Sequence, residues 1–304
     1  MATVIPSGSS LGATIKGIDL SQPLSEADFR LVLHSFAEHG VLCFPDQRLD
    51  AAQQKAFASR FGSLEINVAS GRFQEPGHPE VMVLSNIVEN GRPLGLKDAG
   101  QDWHTDMCYS RTIAFLSVLY AITIPFRNGK PLGATMFADM RAAYDDLPSG
   151  MKRRIAGLSA THDFNKFWEM MRQRPGSQRP PLSPEQRREK PPVSHPVVLI
   201  HPLSGRQVLY CSGGHVTHID GIPTKESDEI LTFLFEHQLN PKYQYAHQWN
   251  AGDVLAWDNI STLHNAVADY GPDEHRLIKR CQVMADWVMT APDARELAGS
   301  GPPT

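Results

Sequence analysis

The chain has 304 residues, 41% of them hydrophobic, which is enough for one large globular domain with a sizeable core. Its 29 basic and 33 acidic residues give a formal charge of -4 without any long block of one sign, which argues against a nucleic-acid partner. Residues 1–8 lack the basic-then-apolar order of a signal peptide, and the longest apolar run, 113–124, is broken by Ser117 and Thr123 and is too short to span a bilayer. A soluble cytoplasmic protein with no membrane partner is therefore expected. The four cysteines, Cys43, Cys108, Cys211 and Cys281, show no metal or redox spacing and read as reduced core thiols.

The first sixty residues read as strand, helix, strand, helix. Ser25 followed by Asp28 is a helix-start signal, so a helix is expected over 26–38 with Gly40 as terminator. Residues 41–44 form a buried strand, and Asp50 caps a second helix over 51–60 that Gly62 ends. Residues 81–84 are a short apolar strand leading into the polar loop 85–101. Residues 113–124 are dominated by β-branched, aromatic and other apolar side chains and closed by Pro125, which favours a core strand. Helices near 140–143 and 150–157 precede a strand at 158–162. Between 172 and 194, six prolines stand among basic residues, so continuous helix or sheet is not expected. This stretch reads as a solvated loop or as a lid. Strands follow at 197–200 and 208–211, joined by Ser204-Gly205. Thr224 is expected to cap a helix over 225–238, with Ile230, Phe233, Leu234 and His237 along one face. Strands at 243–249, 253–257 and 276–288 complete the chain, and a tail over 290–304 is expected to be flexible. Many short strands with a few helices suit a jelly roll.

Trp103-His104-Thr105-Asp106 carries the first chemical signal. On a strand, side chains at i and i+2 share a face, so His104 and Asp106 can grip one metal together. In a continuing strand Cys108 would face the same way. The third ligand should be a lone distant histidine, and His264, just after the alternating run 253–257, is the best candidate. Two histidines and one carboxylate with open positions form the facial triad of non-haem Fe(II) oxygenases. Downstream, Arg276 and Arg280 lie four apart. Read as a strand, this run places Arg276, Ile278, Arg280 and Gln282 on one face, with the guanidiniums about 13 Å apart at roughly 3.3 Å per residue. Arginine suits carboxylate and sulfonate oxygens because its planar fork donates two parallel hydrogen bonds.

These residues resemble the taurine dioxygenase and 2,4-dichlorophenoxyacetate dioxygenase (TauD/TfdA) family of Fe(II)/2-oxoglutarate-dependent enzymes. The resemblance runs from Leu11-Gly12-Ala13-Thr14 through Phe61-Gly62, the H-x-D pair, His195-Pro196 and His201-Pro202 to Trp257-Asp258-Asn259, His264, Ala268-Asp269-Tyr270 and the two arginines. It implies a mainly β fold with flanking helices, the double-stranded β-helix (jelly roll, cupin-like), in a single catalytic domain over 1–304. It implies Fe(II) on His104, Asp106 and His264, 2-oxoglutarate held by Arg276 and Thr135, and O2 as co-reactant. Arg280 is then the anchor for a small anionic substrate, such as a carboxylate, sulfonate or sulfate. The implied reaction is C–H hydroxylation with release of succinate and CO2. A homo-oligomer, dimer or tetramer, is expected.

Several positions depart from the taurine pattern. Asn67 stands where taurine dioxygenases use a histidine for the sulfonate, Trp168 and His215 replace pocket-wall aromatics, and Gly100 replaces an asparagine, which points away from taurine itself. Other residues have plainer readings. His162, His195 and His201 lie beside apolar strands and read as buried, hydrogen-bonded histidines. Trp103 and Trp257 read as core or site-wall rings, and Asp258-Asn259 as a turn. On the residues alone, a non-redox His2Asp hydrolase built on zinc and a non-catalytic jelly-roll binding protein stay open, although a hydrolase has no need of the paired arginines. Halide-installing relatives lack the ligand carboxylate, so Asp106 argues against that chemistry.

Overall fold

Strand Val41–Phe44 sends Leu42 and Phe44 to one side and Val41 and Cys43 to the other, and all four are buried. The same alternation divides Val254–Asp258, with Val254 and Ala256 on the first side and Leu255 and Trp257 on the second. A sheet buried on both faces must be covered on both, and that requirement sets the architecture. The computed structural model describes residues 2–66, 73–174, 177, 179–291 and 293–299.

The large sheet has eight strands in the order Thr3–Pro6, Ala13–Lys16, Val41–Phe44, Val254–Asp258, Ala114–Thr123, Leu277–Met284, His78–Ser85 and Gln74–Glu75. All pairs are antiparallel except Ala13–Lys16 with Val41–Phe44. Helices Glu26–His39 and Ala51–Ala58 cover the outer face, where Phe29, Val32, Leu33, Phe36 and Phe57 pack on Leu42, Phe44, Val118 and Ala256. Each fully buried ring there stabilises the fold by about 1.5–3 kcal/mol relative to exposure. The first helix starts where expected. The Ser25 hydroxyl accepts from the Asp28 amide at 3.1 Å, and Gly40 ends the helix in the left-handed region at φ 66°. Asp50 and Gln53 cap the second helix reciprocally.

The inner face packs against a smaller sheet, ordered Gln244–His247, Thr135–Asp139, Thr262–Ala266. Phe137 and Trp249 meet Leu119, Leu255, Trp257 and Ile278 between the sheets. Two facing sheets with helices outside are the mainly β jelly roll that the sequence implies. A three-stranded sheet, Val193–Pro196, Ser159–His162 and Val216–Ile219, carries helix Thr224–His237 on Ile230, Leu231 and Leu234. Among the described residues no helix is long and apolar enough to cross a membrane.

Several expectations are corrected. The H-x-D pair is not on a strand: His104 makes one isolated bridge, a turn starts at Asp106, and Met107 adopts φ 52°. Cys108 therefore does not follow Asp106 along a pleat, and it packs in the outer core cluster instead. The segment 172–194 contains a six-residue helix, Pro184–Glu189, because Pro184 sits at its first turn, where a missing N–H costs nothing, and Ser183 and Gln186 form a capping box. Helix Phe164–Arg172 was not anticipated, and Asp163 caps it by accepting from the Asn165 amide at 2.8 Å. Thr224 is the first residue of its helix rather than the cap, since Pro223 holds that position without a side-chain bond. In the tail, Ala294–Gly299 forms a helix against Glu26–His39, where His34 Nδ1 lies 2.8 Å from the Ala298 carbonyl.

The three histidines divide. His201 Nε2 is 2.7 Å from Asp258 Oδ2 with both side chains fully buried, and His195 Nε2 is 2.9 Å from the Ser110 carbonyl. His162 is buried as expected, but neither ring nitrogen finds a hydrogen-bond partner. Its ring lies against those of His195 and Tyr210 at 5.4 and 5.6 Å. Burial pushes its pKa down to about 3, so the ring stays neutral.

Candidate active site

His104 and His264 are joined through their backbones, with His104 N–H donating to the His264 carbonyl at 3.0 Å and His264 N–H returning the bond at 2.8 Å. That narrow antiparallel pair brings the two rings to 4.2 Å between centroids. The turn after His104 then swings Asp106 onto the same side. His104 Nε2 lies 3.7 Å from Asp106 Oδ1 and His264 Nε2 lies 3.9 Å from Asp106 Oδ2. One donor atom from each of the three residues falls within 4.8 Å of the others. The sequence-derived triad thus converges, through a bridge and a turn rather than through a pleat.

Protonation suits the donor set to a cation. His104 Nδ1 is 2.8 Å from the Asp102 carbonyl, which can only accept, so Nδ1 carries a hydrogen and Nε2 is the ring nitrogen turned toward Asp106. Burial pushes the His264 pKa well down, keeping that ring neutral. Burial alone would push the Asp106 carboxyl up, but the Arg280 guanidinium beside it holds it well below the usual carboxylate range. His264 Nδ1 is buried without a partner.

A polar network in the sheet wall orients Asp106. Ser117 Oγ donates to Asp106 Oδ2 at 2.7 Å and accepts from Asn259 Nδ2 at 3.0 Å. Asn259 Oδ1 in turn accepts from Trp257 Nε1 at 3.1 Å, and the Thr105 hydroxyl donates to the Asn259 carbonyl at 2.6 Å. Asp258 braces the turn behind Asn259, accepting from the Ile260 amide at 2.8 Å through Oδ1 and pairing with His201 through Oδ2. The turn reading of Asp258 holds, while Asn259 and Ser117 do more than the sequence reading allowed. The available signal was Ser117, a hydroxyl interrupting an otherwise apolar strand.

Thr135 stands on the same inward face as His264. In the small sheet, Phe137 is opposite His264 and Thr135 is opposite Ala266, and opposed residues share a face. The Thr135 hydroxyl accepts from Trp249 Nε1 at 3.0 Å, which leaves its own proton free to donate. Arg276 precedes strand Leu277–Met284 and is 7% exposed. Among the described residues its Nε has no hydrogen-bond partner, its Nη2 is 3.4 Å from the Gly133 carbonyl, and its guanidinium carbon lies 5.9 Å from the centre of the Tyr270 ring. A Cβ on Gly133, which has φ 72°, would lie 2.9 Å from Arg276 Nε, so the bare backbone there makes room for the guanidinium. A buried, under-bonded guanidinium with a free hydroxyl donor two residues beyond its glycine cradle fits a carboxylate.

Arg280 lies further along the same strand face. Ile278 packs in the inner cluster and Gln282 Oε1 is 3.2 Å from Ser117 Oγ, so the alternation read from the sequence holds along 278–282. Arg280 Nη1 is 3.6 Å from Asp106 Oδ2, while its Nε is buried and unpartnered. His215 is 1% exposed with an unpartnered Nε2, and its ring stacks on Phe167 at 4.8 Å and lies 6.4 Å from His104. Trp168 does not form this wall. It turns to the Pro-rich segment, donating to the Pro180 carbonyl at 2.7 Å with the Arg179 guanidinium 5.1 Å above its ring. The neighbour on the unanticipated helix, Phe167, lies 5.0 Å from His104 instead. Asn67 lies outside the described residues.

Residues 3–282 match the family model described as Taurine catabolism dioxygenase TauD, TfdA family. The alpha-ketoglutarate-dependent 2,4-dichlorophenoxyacetate dioxygenase of Burkholderia sp. (strain RASC) is 36% identical over 262 residues, covering 82% of this chain and 84% of that protein. The (S)-phenoxypropionate/alpha-ketoglutarate-dioxygenase of Sphingobium herbicidovorans is 32% identical over 263 residues, covering 86% of this chain and 88% of that protein. The crystal structure of AAD-2 in complex with Mn(II) and N-oxalylglycine superposes with a TM-score of 0.77 at 27% identity, covering 93% of this chain and 97% of that one.

Proposed function

The chain belongs to the TauD/TfdA dioxygenase family, and from that membership we propose that it hydroxylates a C–H bond of a small organic anion with an aromatic or apolar body, a carboxylate before a sulfonate or sulfate. Its class is that of the Fe(II)- and 2-oxoglutarate-dependent dioxygenases, which use O2. That class replaces the hydrolase and binding-protein readings. In the proposed arrangement His104, Asp106 and His264 hold the iron, and Arg276 with Thr135 holds the far carboxylate of 2-oxoglutarate. Bound iron supplies the oxidising chemistry by which 2-oxoglutarate, O2 and a C–H bond become succinate, CO2 and an alcohol.

The chain's own residues place and shield. Ser117 and Asn259 keep the Asp106 carboxylate aimed, and the neutral His264 imidazole leaves a lone pair for a cation. Arg280 is the substrate anchor in this reading. The supporting observation is its position, one guanidinium beside Asp106 with an unused buried Nε, in a site where the rings of Phe167 and His215 lie near His104. A carboxylate bound there places the rest of the molecule against those rings. The names of the relatives, which act on phenoxyacetate and phenoxypropionate compounds, favour a carboxylate with an aromatic body. Closure by the Pro-rich segment belongs to the same proposal, and its support is ionic. Arg179 Nη2 lies 2.9 Å from Asp98 Oδ1, and Arg174 pairs with Asp102 and donates to Gln101 Oε1 at 2.7 Å, all on the loop that leads to His104.

A panel of aryloxy and alkyl acids beside their neutral esters and amides tests the substrate class, scored by substrate-dependent 2-oxoglutarate consumption. Wild type is expected to prefer the acids at least tenfold, because one charge-assisted pair is worth about 1.5–3 kcal/mol. Arg280→Met is expected to erase the preference. Equal turnover of acids and neutral analogues, or an unchanged ranking in Arg280→Met, contradicts the anionic substrate.

A further inference from the structure

Thr135 has a second neighbour. On the side away from Thr262–Ala266, the register sets His247 of Gln244–His247 opposite Thr135, so His247 also faces the interior of the roll. There it meets two side chains of the large sheet. Cys43 belongs to the inward set of Val41–Phe44, and Asp253 immediately precedes Val254–Asp258, the strand whose Leu255 is paired with Cys43. Donor atoms of Cys43, His247 and Asp253 all lie within 4.8 Å of one another, with His247 Nε2 3.4 Å from Asp253 Oδ2. The three residues are 7%, 7% and 3% exposed.

Internal hydrogen bonds do not use up this cluster. Asp253 Oδ2 accepts from the Asn250 amide at 2.8 Å and the Asp253 carboxylate accepts from the Cys43 thiol, yet His247 Nε2 is buried with no hydrogen-bond partner among the described residues. An unsatisfied buried imidazole nitrogen beside a carboxylate and a thiol destabilises the folded state unless something binds there. The donor set says what suits it. Thiolate, carboxylate and neutral imidazole together exactly cancel the two charges of a divalent cation, so the bound site carries no net buried charge. Sulfur selects zinc-like ions over magnesium or calcium.

We infer that Cys43, His247 and Asp253 form a second metal site, for Zn(II) or a similar thiolate-binding divalent ion, separate from the His104, Asp106 and His264 cluster. A bound ion clips the large sheet to the small one next to the proposed 2-oxoglutarate anchor: the His247 ring is 4.9 Å from Trp249, whose Nε1 donates to Thr135.

Co(II) distinguishes the two clusters, because only this one contains sulfur. Chelator-treated full-length protein titrated with Co(II) without air is expected to gain a near-ultraviolet thiolate-to-cobalt charge-transfer band that has saturated by two equivalents, one cobalt for each cluster. Asp106→Asn should keep the band and Cys43→Ser should lose it. His247→Gln retains every cysteine and is expected to weaken Co(II) binding at this site about tenfold or more, which keeps the test decisive if Cys43→Ser does not fold. Absence of the band in wild type, its survival in Cys43→Ser, or an unchanged affinity in His247→Gln overturns the assignment.

Discussion

Loss of any one donor side chain, in His104→Ala, Asp106→Asn or His264→Ala, is expected to bring Fe(II)-dependent succinate formation down to background while the protein stays folded. The fold should survive because the two histidines are joined by main-chain bonds, His104 N–H to the His264 carbonyl and back, which alanine retains. Asn at 106 keeps an acceptor for the Ser117 hydroxyl and removes only the charge. Removing any one of the three leaves the two-histidine, one-carboxylate triad incomplete. Far-UV circular dichroism and thermal melting check the fold, and single-turnover succinate release checks the chemistry. Turnover retained near the wild-type level in any of the three removes that residue from the metal set.

Arg276→Gln is expected to raise the 2-oxoglutarate requirement by about thirtyfold to several thousandfold, since losing the buried charged partner of a carboxylate costs about 2–5 kcal/mol. Without cosubstrate the variant should be no less stable than wild type. Burial works against the Arg276 charge, Tyr270 and Asp269 offset it only in part, and among the described residues its Nε has no hydrogen-bond partner, so glutamine removes an incompletely compensated group. The two effects separate in one experiment. Thermal melts with rising 2-oxoglutarate should shift upward for wild type and stay flat for the variant over the same range. An unchanged cosubstrate requirement moves the anchor elsewhere, with Arg280 next in line. Metal binding should be unaffected either way.

The residues that were legible in the sequence are those whose role shows in their type and order. His104, Asp106 and His264 could be read because few arrangements use two imidazoles and a carboxylate together, and Ser25, Gly40 and Asp50 because caps act within one turn. The alternation of Ile278, Arg280 and Gln282 could be read because a strand has period 2. What stayed hidden depends on contacts between distant segments. The turn at Asp106 is set by the bridge to His264 and by Asn259, which no local pattern announces. Phe164, Phe167, Trp168 and Met171 recur at i, i+3, i+4 and i+7, so the helix Phe164–Arg172 had a local signal, and Phe167 was missed because the neighbouring Trp168 drew the assignment. Ser183 and Gln186 form a capping box around Pro184, a helix start obscured by the prolines on either side. Cys43, His247 and Asp253 have no motif spacing at all, because their proximity arises only when the two sheets close.

The central claim is that this chain holds Fe(II) on His104, Asp106 and His264 with 2-oxoglutarate beside it, and one anaerobic spectrum tests it. Purified protein with Fe(II) is predicted to develop a weak visible metal-to-ligand charge-transfer band when 2-oxoglutarate is added, a band that is absent in Asp106→Asn and that needs far more 2-oxoglutarate in Arg276→Gln. A wild-type protein that binds Fe(II) but stays featureless with saturating 2-oxoglutarate would contradict it.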